Sequence, residues 1–98
     1  MPRYLVEQSF RFGLHLPSTS DGAAFCAALA AGNAEAGVTW IHSYVSRDKR
    51  TAYALYEAPS PEAIRRAADL TGQPLSRITE VQVLDPHFYH HAEPGARA

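Results

Sequence analysis

His42 stands between Trp40 and Tyr44 in the segment Val38-Thr39-Trp40-Ile41-His42-Ser43-Tyr44-Val45. An imidazole is a ready ligand for divalent transition metals and, near neutral pH, a ready general base. Alternate residues of a strand share a face, so an extended segment here sets Trp40, His42 and Tyr44 side by side. In the same register the face collects Glu7, Tyr56, Glu80 and Gln82 from other strands. Two carboxylates, Glu7 and Glu80, then stand available to join His42 around a metal ion. Trp40, Tyr44 and Tyr56 form aromatic walls suited to a bound group. The same residues also fit a histidine hydrogen-bonded within a dimer interface, and residue types alone leave both readings open.

A second group of imidazoles, His87, His90 and His91, surrounds Phe88 and Tyr89 near the C-terminus. Such a density of histidines suits nickel, copper or zinc. The adjacent His90 and His91 do not easily turn both rings onto one ion. Cys26 reads as a small half-buried helix residue and His15 as a solvated loop residue. Arg47, Lys49 and Arg50 read as a hairpin tip in water. The chain has no glycine-rich phosphate loop, no nucleophile elbow and no paired-cysteine zinc motif. No catalytic residue is assigned.

The elements that must position these groups follow from pattern. Tyr4 to Phe10 is rich in β-branched and aromatic residues and reads as a strand. Ser18, Thr19, Ser20 and Asp21 are helix N-cap types, and Phe25, Ala28, Leu29, Gly32 and Ala36 follow at helical spacing. The expected helix runs from Ser20 to Ala36, with Gly37 as its stop. Val38–Val45 and Thr51–Glu57 are strands joined by the polar turn 46–50, a hairpin. Ser60-Pro61-Glu62 is a strong helix start, and Gly72 with Pro74 ends that helix. Its inner stripe is Ile64, Ala67, Ala68 and Thr71, and Glu62 pairs with Arg66 across one turn. Arg77 to Leu84 is the last strand.

The order β-α-β-β-α-β points to an α+β, ferredoxin-like fold. Its four-stranded antiparallel sheet has strand order 4-1-3-2, and both helices cover one face. Residues 1–86 form this domain, and 87–98 form a His-containing C-terminal tail, partly flexible. The covered face is expected to take Val6, Ile41, Val45, Tyr53, Leu55, Val81 and Val83. The opposite face then carries the aromatic and ionisable set above, too apolar to stand bare in water. A homodimer through that open face is the expected partner.

Ninety-eight residues allow one domain, and 46% apolar residues allow one core. A net charge of -1 argues against a nucleic-acid or anionic-membrane partner. The RNA-recognition domains share this element order, but Thr51–Glu57 lacks their basic, aromatic signature. No apolar stretch is long enough to span a bilayer. One cysteine and no signal-peptide pattern make the cytoplasm the expected location.

Pro2–Glu7, Gly37–Tyr44, Tyr56–Ala67 and Ile78–Val81 together resemble a family of small bacterial nickel-binding proteins, formerly a domain of unknown function. The most specific stretch is Glu57-Ala58-Pro59-Ser60-Pro61-Glu62-Ala63. The resemblance implies a ferredoxin-like dimer and nickel, or another divalent transition metal, as ligand. Carried onto this chain, the site would be built from His42, Glu7 and Glu80. Two other readings compete. One is an enzyme akin to the dimeric α/β-barrel monooxygenases and isomerases, with an aromatic substrate between Trp40, Tyr44 and Tyr56 and His42 as base. The other is a non-catalytic dimerisation module.

Overall fold

The computed structural model describes residues 1–15 and 19–87. Its elements are β1 (Arg3–Ser9), α1 (Ser20–Glu35), β2 (Thr39–Val45), β3 (Thr51–Glu57), α2 (Pro61–Thr71) and β4 (Arg77–Val81). All strand pairings are antiparallel, in the order β2-β3-β1-β4. This is the expected α+β architecture and the expected strand order read from the other edge. The histidines at 90 and 91 lie outside the described residues, as do Ser18 and the rest of the expected tail beyond His87.

Local chemistry explains the element ends. The Ser60 hydroxyl accepts the Ala63 N–H at 3.3 Å, Pro61 opens α2, and Gly72 closes it at φ +71°. α1 starts at Thr19 without a side-chain cap, and Gly37 beyond its end takes φ +78°. Lys49 turns the β2–β3 hairpin at φ +63°, while the Asp48 carboxylate accepts from the Ser46 hydroxyl and the Arg50 N–H. Glu62 pairs with Arg65 at 3.7 Å, one position earlier than the spacing rule selected. β4 stops at Val81, three residues short of expectation, because Val81 already pairs with Arg3 at the start of β1.

Both helices lie on one face. Ile64 and Ala67 of α2 and Asn33 of α1 line one small cavity together with Val6, Gln8 and Tyr56 of the sheet. The core is Tyr4, Val6, Val38, Ala54, Tyr56, Ala58, Ala63, Ile64 and Ala67, with Ala36 beside them. Gly32 of α1 lies close against Thr71 of α2. A Cβ there would stand 2.7 Å from the Thr71 Cγ2.

The distribution of side chains between the faces differs from the sequence reading on β3. Val6 pairs with Ala54, so Ala52, Ala54 and Tyr56 face the helices. Tyr53 and Leu55, the larger apolar residues, face away. Alanine at 52 leaves space beneath the helices, and Ala52 borders a cavity there. On β4, Ile78 packs on the core while Val81 shares Arg3's face. Val83 lies beyond the strand and is exposed.

β2 carries the most consequential departure. Trp40 pairs with Tyr56, yet His42 pairs with Leu55, so Ile41 is an extra residue. This β-bulge breaks the two-residue alternation. Trp40 therefore turns under the helices, and its indole N–H donates to the Ser43 hydroxyl at 2.9 Å. His42 and Tyr44 stay on the outer face. Ile41 and Val45, both expected in the core, are 37% and 46% exposed.

Candidate functional site

The open face is a grid set by strand pairing. His42, Leu55 and Leu5 form one row, and Tyr44, Tyr53 and Glu7 form the next. Arg77 continues the Glu7 row and Thr79 the Leu5 row. At one end Arg3 pairs with Glu57, the guanidinium reaching one carboxylate oxygen at 3.2 Å. The His42 and Tyr44 rings meet edge to face, 5.1 Å between centroids and 85° between planes. Both rings stand exposed.

The strand register brings Glu7, His42 and Tyr44 to one face and leaves three expected partners on the other. Trp40 and Tyr56 face the helices, and Glu80 pairs with Tyr4 on that same side. Glu80 and Glu62 stand near the Tyr4 hydroxyl, whose pKa is raised by burial first and then by those two carboxylates. Gln82 lies past the end of β4. An aromatic pocket with His42 as its base is therefore not assembled from these residues within one chain.

The donor types on the open face suit a borderline divalent metal, because imidazole and carboxylate are both accepted ligands. Their number and spacing in one chain do not complete a site. His42 and Glu7 stand two strands and one row apart, about 12 Å between Cα atoms from standard sheet spacings. Side chains stand roughly perpendicular to a sheet, so these two do not converge on one ion. Among the described residues no group of three His, Cys, Asp or Glu side chains is placed to hold a metal. Among the same residues no helix is long and apolar enough to cross a membrane.

The covered face holds polar residues that the sequence reading missed. Gln8 and Asn33 are 7% and 4% exposed, and with Tyr56 they line the same cavities beneath the helices. Burial raises the Tyr56 pKa, and the neighbouring Asn33 and Gln8 amides oppose part of that rise. The available signal was Asn33 itself. It falls at the spacing of Cys26, Leu29 and Ala36, the side of α1 turned to the sheet.

A family profile described as "Nickel responsive protein SCO4226-like" matches residues 4–81. The crystal structure of SCO4226 from Streptomyces coelicolor A3(2) superimposes with a TM-score of 0.65 at 22% identity. The match covers 85% of this chain and 99% of that one, and at this identity it speaks for the fold. No curated protein matches the chain.

Proposed function

The chain belongs to the nickel-responsive SCO4226-like family, and from that premise we propose that it is a small divalent-metal-binding protein, with nickel the first ion to test. The observation that carries the reading is the exposed His42, in edge-to-face contact with Tyr44 on a sheet face that also presents Glu7. His42 supplies the imidazole and Glu7 the carboxylate. Because one chain offers too few converging donors, the site is completed by a second copy.

Two open faces packed about a twofold axis would place each His42 and Glu7 against the partner's surface. The same packing covers Leu5, Tyr44, Tyr53 and Leu55. The element and strand order support reading the unit as a ferredoxin-like βαββαβ domain, and dimerisation through its sheet and action in the cytoplasm belong to the same proposal.

Calorimetric titration of untagged protein with nickel, zinc and copper tests the metal reading. A saturable heat is expected, weakened at least tenfold in His42→Ala. Absence of saturable heat for all three ions, or equal affinity in His42→Ala, would overturn it. Sedimentation of Tyr44→Asp tests the interface. The parent protein is expected at twice the chain mass and the variant at the chain mass.

A further inference from the structure

The space between α1 and the sheet is larger than packing alone leaves. A cavity of about 70 Å³, partly open to solvent, lies there. Protein interiors rarely hold voids larger than one water, which needs about 10–15 Å³. The walls are Phe10, Leu14, Phe25, Leu29, Trp40 and Val45. The polar groups at its lining are Gln8, Asn33, Ser43, Tyr56 and Gln73, and among the described residues none at the lining carries a charge.

Three of these polar groups are organised. Gln8, Asn33 and Tyr56 line this cavity side by side, and all three residues are buried. They come from β1, α1 and β3, so the cluster is held by three separate elements. Apolar walls around a few convergent polar groups are the usual build of a small-molecule site.

We propose that this cavity binds a small, neutral, mainly apolar molecule of about one ring, whose single hydroxyl or carbonyl reaches the Tyr56, Asn33 and Gln8 cluster. Charge is excluded because a buried ion would find no opposite charge in the lining. Size is limited because about 150 Å³ accommodates benzene, twice the space here. The ring therefore enters through the open side and stays partly exposed beside Phe25, itself 39% exposed. The site lies on the opposite face of the sheet from His42, so it stands or falls independently of metal binding.

Trp40 is the only tryptophan and lines the cavity, which makes its fluorescence a local reporter. Benzyl alcohol, phenol, toluene and benzoate are titrated into the full chain. Saturable changes are expected for benzyl alcohol and phenol, with benzoate at least tenfold weaker. Val45→Phe places a ring at the wall from an exposed edge-strand position. It should weaken benzyl alcohol at least tenfold while circular dichroism stays native. Tyr56→Phe should reduce the preference for benzyl alcohol over toluene several-fold. If that variant fails to fold, Val45→Phe decides alone. His42→Ala should bind benzyl alcohol as the parent does. No saturation with benzyl alcohol or phenol, unchanged affinity in Val45→Phe, or amide shifts centred on His42 and Tyr44 would each overturn the proposal.

Discussion

The two faces of this sheet handle polarity in opposite ways. On the helix-covered face, Gln8, Asn33 and Tyr56 are gathered inside the chain, behind apolar walls. On the open face, Arg3 and Glu57 pair at one end, while His42 and Tyr44 stand in solvent further along. The first arrangement is complete within one chain. The second gains a full set of partners only when something else arrives. A closed polar cluster fixes structure and shapes a pocket, whereas an open row of donors is where a metal or a second copy can act.

The sharpest way to break this comparison is to put the same charge on each face at adjacent positions. Ala54 is 1% exposed beneath the helices, and Leu55 is its neighbour on the outer face. A carboxylate at 54 would be buried without a partner, a cost of about 3–5 kcal/mol or loss of folding. Leu55→Asp should cost about 1 kcal/mol or less in the monomer, the scale of a surface change. Urea unfolding of dilute Ala54→Asp and Leu55→Asp reads both. Similar destabilisation would mean the faces are not divided as described.

Tyr56→Phe probes the closed cluster and Tyr53→Phe the open face. Removing the Tyr56 hydroxyl takes a buried polar group from beside the Gln8 and Asn33 amides, a cost of about 1–3 kcal/mol. Tyr53→Phe should fall within about 0.5 kcal/mol. The pH dependence gives an independent check with a defined sign. Burial raises the Tyr56 pKa, so the unfolded chain ionises first. The stability from keeping this hydroxyl neutral is full below the unfolded value of about 10 and is lost as pH rises through the folded value. Alkaline unfolding should therefore be less steep in Tyr56→Phe than in the parent. Equal slopes would place the hydroxyl in water.

Gly32→Ala tests how tightly the helices seal the covered side. Alanine gains about 1 kcal/mol of helix propensity. Against this, its Cβ would stand 2.7 Å from the Thr71 Cγ2, and the Thr71 hydroxyl is tied to the Ala67 carbonyl at 2.8 Å. Overpacking costs about 1–3 kcal/mol, so a net loss of about 1 kcal/mol is expected. Adding Thr71→Ser removes the methyl and should restore the stability. Failure of that rescue in thermal melts would mean that the helices do not meet at these two residues.

The legible parts of the molecule were those written locally. Ser60-Pro61-Glu62 marked the start of α2, Gly72 marked its end, and Thr51–Glu57 proved to be β3 to the residue. The faces were less legible because they depend on pairing between strands. Tyr53 and Leu55 looked like core by size, but the pairing of Val6 with Ala54 turns Ala52, Ala54 and Tyr56 to the helices. The alternation of alanine with bulky residues was the available clue. The bulge at Ile41 left no such mark, since neither glycine nor proline stands there. That one inserted residue sent Trp40 to the helices and kept His42 outside. The candidate site was thus half legible: Glu7, His42 and Tyr44 share a face, and Trp40, Tyr56 and Glu80 do not join them.

The smallest test concerns the Arg3–Glu57 pair, an ion pair on the open face completed within the chain. Both Nε and Nη2 approach a single carboxylate oxygen, at 3.3 and 3.2 Å, and both side chains are partly exposed. A partly solvated pair of this kind contributes about 0.2–1 kcal/mol and fades with salt. A double-mutant cycle of Arg3→Met and Glu57→Gln should return a coupling in that range at low salt, and about half or less near molar salt. If the open face is bare in the free chain, this weak, screened value should hold at every protein concentration where the chain is monomeric. If a second copy covers the face, the pair loses solvent, and the coupling should rise and lose its salt dependence as dimer forms. A coupling that stays small through the dimerisation range would put the interface elsewhere on the molecule, and the division between a self-contained face and a partner-seeking one would then have to be redrawn.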